Sequence, residues 1–237
     1  MTDAAVVVTL DQGSTGTKAQ ALGASGRIVG HGFAPVAEYN PRLGWVEQDP
    51  MEIWQSVQSA VATALEGHDA RWVASFALTN QRESLVLWGR GSAAPVCPMV
   101  SWQNRRSDSL TARIAGTGVA DRVRRISGLP LDPMFSAVKV SWLLDTHDAD
   151  RAQTRRGELR LGTVDSWLLS RFGGEPVGDQ RQHVLVGPLR VQCHPHREVR
   201  PRAGRQRPTS LLGPATLGDH RVHHLRGENL RQQTNRH

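Results

Sequence analysis

One short polar segment, Asp11–Lys18 (DQGSTGTK), has the residue types that could bind a phosphate group. It follows Val6–Leu10 (VVVTL), whose length and composition predict a buried strand that ends at Asp11. Small residues in a tight turn expose backbone N–H groups and hydroxyls, and a phosphate can approach them closely. The Asp11 carboxylate could hold a phosphate-bound magnesium ion, and the Lys18 ammonium could neutralise phosphate oxygens.

Two interpretations of this segment remain open on its residues alone. In the first, its backbone and hydroxyl groups bind a phosphate. In the second, it is an ordinary polar turn between two antiparallel strands. The segment contains neither the Walker pattern G-x-x-x-x-G-K-[ST] nor the dinucleotide pattern G-x-G-x-x-G. The sequence therefore predicts neither of these two common nucleotide sites here.

A second candidate for chemistry is the pair Arg82 and Glu83, which lies in a predicted turn between the strands Trp72–Leu78 and Leu85–Trp88. A guanidinium beside a carboxylate suits a polyol, because one group donates to hydroxyl oxygens and the other accepts hydroxyl protons. The alternative is a solvated surface pair.

Predicted elements around these residues suggest how they are positioned. Lys18–Leu22 and Arg27–His31 continue the first strand as an antiparallel meander. Asp49 has the character of a helix N-cap, with Pro50 at the first helical position and Glu52 as the third residue. An apolar stripe at helical spacing then follows, formed by Ile53, Trp54, Val57, Ala60, Val61, Ala64 and Leu65.

The charge of the chain is concentrated at one end. The 237 residues carry a formal net charge of +7. Residues 178–237 contain 11 Arg and no Lys against 4 Asp and Glu, whereas residues 1–177 contain 18 basic and 18 acidic residues. The whole excess of positive charge therefore lies in residues 178–237.

Residues 178–237 also differ from the preceding chain in composition. They contain no Ile, Phe, Trp, Tyr or Met and hold seven of the ten His residues. Such a segment buries too little apolar surface to offset its ordering entropy, so the sequence predicts disorder. One interpretation is a basic arm that binds nucleic acid. The other, which we favour, is that residues 178–237 are coding sequence read in a shifted frame. A shifted frame in GC-rich DNA replaces Ile, Phe, Trp and Lys by Arg, Pro, Gly, His, Ala and Gln.

The cysteine content and the hydropathy of the sequence predict in which cellular compartment the protein lies. The two cysteines, Cys97 and Cys193, form neither a disulfide framework nor a metal-ligand pattern. The N-terminal residues lack the basic region of a signal peptide, and no apolar run reaches membrane-spanning length. We expect a cytoplasmic protein with no membrane partner.

Six stretches of sequence together resemble the FGGY carbohydrate kinases, and among them the glycerol kinases. The stretches are Asp11–Lys18, Gly44–Trp54, Thr79–Ser84, Ser101–Ser107, Ser127–Asp145 and Gly157–Leu169. They occur in the family's order with short spacers. The resemblance extends over residues 1 to about 177 and then stops.

This resemblance implies an α/β fold of the ribonuclease-H-like type found in actin and hexokinase ATPases, in a domain of residues 1–177 followed by the tail 178–237. It also implies ATP-dependent, magnesium-assisted phosphorylation of a hydroxyl of a small polyol or sugar, with glycerol ranked first. Nucleic acid is then not the expected partner.

The same resemblance implies roles for individual residues. It implies that Asp11 helps to position the magnesium ion and that the γ-phosphate is contacted by Gly13, Ser14 and Thr15. Lys18 would offset the charge of the γ-phosphate. The substrate contacts fall to Arg82 and Glu83 for the hydroxyls and to Trp102 for the carbon skeleton.

One residue departs from the family pattern. Glycerol kinases usually carry Tyr in a D-P-Y-F element, and the corresponding residue in Asp132–Phe135 (DPMF) is Met134. Loss of a phenol that bonds a substrate hydroxyl should weaken glycerol binding by about 1–3 kcal/mol. Other polyols and sugars therefore stay candidates.

The resemblance also implies that the proton-accepting Asp and a nucleotide-holding second domain would follow residue 177. We therefore expect little or no kinase activity from the 237-residue chain, and a non-catalytic polyol-binding fragment is the alternative function. A one-nucleotide shift of the codons for Gly178–Val184 can spell Ala-Thr-Ser-Ala-Asn-Thr-Ser, which is close to the family element expected there. This agreement favours a frameshift or a truncation.

Overall fold

The computed structural model describes residues 5–173. In this part of the chain the strands are β1 (Val6–Gly13), β2 (Gly16–Gly23), β3 (Ile28–Pro35), β4 (Glu47–Gln48), β5 (Val73–Asn80), β6 (Leu85–Gly89), β7 (Met99–Val100) and β8 (Leu159–Thr163). The helices are α1 (Pro50–Ala64), α2 (Asp108–Ala115), α3 (Val119–Ser127), α4 (Ser136–His147), α5 (Ala152–Arg155) and α6 (Val164–Arg171). None of these helices is long and apolar enough to cross a membrane. The predicted disorder of residues 178–237 lies outside the described residues.

The first sheet has the strand order β3-β2-β1-β5, with β1 and β5 parallel and the other pairs antiparallel. The predicted meander is confirmed, but the predicted end of β1 at Asp11 is wrong. The strand continues to Gly13 because Gly13 pairs with Gly16 across a two-residue turn. The predicted burial also holds for one face only, since Val7 is 37% exposed while Val8 is fully buried.

Helix α1 begins as its sequence predicts. Asp49 is the N-cap, its carboxylate accepts a hydrogen bond from the Met51 N–H, and Pro50 opens the helix. The predicted apolar stripe faces the first sheet, and Ile53, Ala60 and their neighbours along the stripe are buried in its core.

Helix α1 lies directly on the backbone of β3. A Cβ added to Gly32 would come within 2.1 Å of the Ala60 carbonyl oxygen, and one added to Gly30 within 2.0 Å of the Ala64 carbonyl oxygen. Ala60 and Ala64 are themselves fully buried. Small residues on both elements therefore allow a close approach of helix and sheet.

The second sheet is antiparallel, with the strand order β4-β7-β6-β8. Strand β6 is buried on both faces. Val86 and Trp88 belong to the core beneath the first sheet and α1. Leu85 and Leu87 belong to a second core with α4 and β8. The continuous apolar run of β6 thus reflects two cores rather than one.

The parallel strands β1 and β5 end side by side, with Gln12 opposite Asn80. Ligands of open α/β sheets bind outside the carboxyl ends of such strands. The segment that follows each strand therefore enters the same region of the molecule. These segments are Gly13–Thr15 and Gln81–Ser84.

The close contact of α1 with β3 generates a stability prediction. Gly32→Ala should lower the free energy of unfolding by about 1–3 kcal/mol, because the added methyl group forces the α1 backbone to move. The measurement is a urea unfolding curve of the full chain. Gly91→Ala is the control, since a Cβ at Gly91 meets no atom within 4 Å. Equal midpoints for the two variants would contradict the close approach.

Candidate active site

The predicted phosphate segment forms the end of the β1–β2 hairpin. Ser14 and Thr15 are its turn, so the interpretation as a hairpin turn is correct for its geometry. Asp11 and Lys18 are directly opposite each other on the two strands, and both are exposed. Opposite residues of an antiparallel pair project from the same face, so the Asp11 and Lys18 side chains share one face of the hairpin behind the turn.

The turn is attached to two distant parts of the chain through Ser14. Its carbonyl oxygen accepts a hydrogen bond of 2.7 Å from the Gln48 side-chain amide. Its hydroxyl accepts a hydrogen bond of 3.1 Å from the indole N–H of Trp102. The structure therefore brings the predicted phosphate segment into contact with a predicted substrate residue, Trp102, which is 36% exposed.

A buried network of amide side chains lies beneath these groups. The Gln81 side-chain N–H group donates to the Oε1 atoms of Gln12 (3.2 Å) and Gln48 (2.7 Å). The Gln81 Oε1 accepts from the Ser84 hydroxyl (2.9 Å), whose oxygen accepts from the Trp102 backbone N–H (3.1 Å). The network joins the phosphate turn to the Arg82–Glu83 turn.

Sequence reasoning missed this network, although a signal for it exists. Gln12, Gln48 and Gln81 each lie within one of the family-like stretches. All three are nearly fully buried. A long amide inside a short motif, next to a buried strand or helix, is a candidate for a polar contact between segments.

Glu83 adopts a backbone conformation that is rare for its residue type. Its φ angle is 62°, which is left-handed. Its Oε2 accepts hydrogen bonds from the backbone N–H (2.7 Å) and the hydroxyl (2.6 Å) of Ser136, at the start of α4. The carboxylate therefore caps α4, whose own N-cap residue, Phe135, provides no side-chain bond.

The other predicted substrate residues lie around Glu83. Arg82 precedes it and is exposed. Met134 is half-buried, and its carbonyl oxygen and that of Glu83 both accept hydrogen bonds from the Lys139 ammonium, each at 2.5 Å. The structure thus brings Glu83 and Met134 together through a residue that sequence reasoning did not select.

An arginine inside an aromatic pair holds the Trp102 segment in place. The Arg106 guanidinium lies 3.9 Å from the ring centroid of Trp45 and 4.7 Å from that of Trp142. It also pairs with Glu47 at 2.6 Å. Burial lowers the pKa of Arg106, and the Glu47 carboxylate opposes this shift. These contacts fix the chain after Trp102 against β4 and α4.

The residues of the phosphate turn fit a metal that arrives with phosphate. Within residues 5–173 no cluster of three or more His, Cys, Asp and Glu side chains could hold a metal ion alone. Magnesium usually binds through one or two carboxylates and substrate phosphates, and keeps several waters. The exposed carboxylate of Asp11, in the strand that leads into the turn, is a ligand of that type.

The amide network generates a prediction for Gln81→Leu. This change leaves the buried Oε1 atoms of Gln12 and Gln48 without their donor, at a cost of about 1–3 kcal/mol each in unfolding free energy. The measurement is the urea midpoint of the full chain. Gln103→Leu is the matched control, because Gln103 is exposed and its amide is outside the network. An unchanged midpoint for Gln81→Leu would show that the network does not stabilise the fold.

Comparison with known proteins places this arrangement in a family. The model of the FGGY family of carbohydrate kinases, N-terminal domain, matches residues 6–182. Glycerol kinase of Methylibium petroleiphilum is 42% identical over 173 residues, which is 72% of this chain and 35% of that protein. Glycerol kinase of Azotobacter vinelandii is 42% identical over 165 residues, 69% of this chain and 33% of that protein. The chain thus spans about a third of the length of these relatives.

Solved structures show the same fold. Plasmodium falciparum glycerol kinase with ADP matches with a TM-score of 0.64 at 22% identity, over 71% of this chain and 34% of that chain. Gluconate kinase of Lactobacillus acidophilus matches with a TM-score of 0.61 at 20% identity, over 70% of this chain and 32% of that chain. The predicted α/β fold of the actin and hexokinase type is confirmed. The chain belongs to the FGGY family of carbohydrate kinases, of which it contains the N-terminal domain.

Proposed function

We propose that this domain takes part in ATP-dependent, magnesium-assisted transfer of a phosphoryl group to a hydroxyl of a small polyol or sugar, with glycerol ranked first. The observation that carries the proposal is the 3.1 Å hydrogen bond from Trp102 to Ser14. It joins the phosphate turn to the substrate residues at the carboxyl ends of β1 and β5. A donor phosphate and an acceptor hydroxyl have to meet in one place, and this edge offers groups for both.

The phosphate side of the proposal rests on the hairpin turn. The N–H groups and hydroxyls of Ser14 and Thr15, with Gly13 leaving room for close approach, would bind the γ-phosphate. Asp11 would help hold the magnesium ion, which neutralises phosphate charge when bound. The Lys18 ammonium would offset the remaining charge on the phosphate oxygens.

The substrate side rests on the turn after β5. Arg82 is exposed and can donate to hydroxyl oxygens. Glu83 uses Oε2 to cap α4, and within residues 5–173 its Oε1 accepts no hydrogen bond, so this atom can accept one from a substrate hydroxyl. The exposed face of Trp102 would cover the carbon skeleton, and Met134 would border the site next to Glu83. The proposed compartment is the cytoplasm, which fits the free thiol of Cys97.

Removal of the Arg82 guanidinium tests the substrate side. Arg82→Ala should weaken glycerol binding to the full chain by about 1.5–3 kcal/mol, or tenfold or more in Kd, because hydrogen bonds from a charged donor are lost. Isothermal titration calorimetry measures the affinity, first for glycerol and then for a panel of pentitols and sugars. Arg27→Ala is the control, since Arg27 is exposed in the β2–β3 turn at the opposite end of the strands.

Two results of that titration would contradict the proposal. The first is that the unsubstituted chain binds no compound of the panel. The second is that Arg82→Ala and Arg27→Ala have the same affinity as the unsubstituted chain. Formation of a polyol phosphate from magnesium ATP by the full chain would contradict the expectation that this chain alone has little or no kinase activity.

Met134 provides a second test, aimed at substrate choice. Met134→Tyr should tighten glycerol binding by about 1–3 kcal/mol, because a phenol near Glu83 can bond a substrate hydroxyl. Met134→Phe is the matched control, since it adds the ring without the hydroxyl. Calorimetric Kd values of both variants make the comparison. Equal glycerol affinities of the Met134→Tyr and Met134→Phe variants would show that a phenol at this position does not contact a hydroxyl of glycerol.

A further inference from the structure

Lys139 is a buried charged residue in the first turn of α4. Its side chain is fully buried, and Val138 and Leu143 of the same helix are buried too. The ammonium donates to the carbonyl oxygens of Glu83 and Met134, each at 2.5 Å. A buried charge is costly unless it is hydrogen-bonded. The hydrogen bonds to these two carbonyls therefore offset the cost of burying the ammonium.

Two effects act on the charge of Lys139 in opposite directions. Burial lowers the pKa of Lys139 to about 8, while the carboxylates of Glu83 and Asp132 oppose this shift. With this pKa the ammonium form, which has three N–H donors, is the major form at neutral pH. Two of them serve the two carbonyls.

Both carbonyls belong to residues whose positions decide the proposed polyol site. Glu83, with its left-handed φ of 62°, is held in a conformation that costs a non-glycine residue free energy. Such a conformation persists only where surrounding contacts enforce it. Here the contacts are Lys139 on the Glu83 carbonyl and Ser136 on the Glu83 carboxylate. All of them come from the first turn of α4.

We propose that Lys139 is a positioning residue of the polyol site. Its ammonium fixes the backbone of Glu83 in the left-handed conformation and sets the Met134 segment beside it. This inference rests on the function proposed above. It adds that the Glu83 carboxylate, which would bind a substrate hydroxyl, is held in place from α4. Lys139 itself contacts backbone atoms and acts through Glu83 and Met134.

A substitution pair separates positioning from general stability. Lys139→Met removes the ammonium but keeps an unbranched side chain of similar length. Leu143→Ala is the control, because Leu143 is fully buried in the same helix and its loss lowers stability without touching either carbonyl. Both variants are made in the full chain and studied at a temperature where both are folded.

Two quantities are measured on each variant. The first is the Kd for glycerol by calorimetry. The second is the hydrogen exchange rate of the Ser136 amide by NMR, since this amide is bonded to the Glu83 carboxylate. We expect Lys139→Met to raise the Kd and the Ser136 exchange rate by about tenfold or more, and Leu143→Ala to change both much less.

The two measurements distinguish failure of this inference from failure of the proposed function. If the unsubstituted chain binds no polyol, the proposed function fails, and the Ser136 exchange rate alone decides whether Lys139 holds Glu83. If Lys139→Met and Leu143→Ala shift exchange and affinity equally, Lys139 is only part of the core and the inference is overturned.

A measurement without substitution covers the case in which Lys139→Met does not fold. The chain contains two lysines, Lys18 and Lys139, so selective isotope labelling gives two ammonium signals. We expect a slowly exchanging Lys139 ammonium with couplings across its hydrogen bonds to the carbonyl carbons of Glu83 and Met134. The exposed Lys18 serves as the internal reference. A Lys139 signal that exchanges as fast as that of Lys18 would overturn the inference.

Discussion

The hydrogen bonds of the buried Gln81 amide fix how three separate segments of this domain meet. A buried amide is stable only where its donors and acceptors find partners, and the partners of Gln81 come from Gln12, Gln48 and Ser84. Gln12 is in β1, Gln48 is the last residue of β4, and Ser84 precedes β6. The polar contacts among the candidate phosphate and substrate residues therefore depend on one buried side chain that is not itself a candidate site residue.

Apolar packing brings the segments of this network close together but does not fix their exact alignment. Helix α1 lies on β3 through Ala60 and Gly32, and Gln48 lies two residues before the start of this helix. Packing tolerates small shifts of an element, whereas a hydrogen-bonded amide has to stay within a few tenths of an ångström of its partners. The core thus brings the segments near each other, and the amides align them. A less regular backbone, such as the left-handed Glu83, is then held by α4.

Local rules predicted much of the fold from the sequence. The start of α1 was predictable because the Asp49 cap and Pro50 act within one turn. The end of β1 was not, because the pairing of Gly13 with Gly16 depends on a two-residue turn whose composition also fits a loop. The candidate site shows the same difference between features set within a few neighbouring residues and features that depend on contacts in the folded chain. Polar residues in predicted turns could be chosen from the sequence. Lys139 could not, although it lies in one of the six stretches, because its partner Glu83 lies in another stretch and meets it only in the folded chain.

The chemistry of the proposed site also bears on which substrates it would distinguish. A site that bonds a substrate hydroxyl strongly rejects an analogue that lacks it, because a buried polar group is then left unpaired. Met134 presents a thioether where the resemblance to glycerol kinases implies a phenol, so a missing substrate hydroxyl would leave no polar group unpaired there. Discrimination would then fall mainly to Arg82 and the Oε1 of Glu83. Under the proposed function, Met134 would therefore broaden the range of polyols accepted, in addition to weakening glycerol binding.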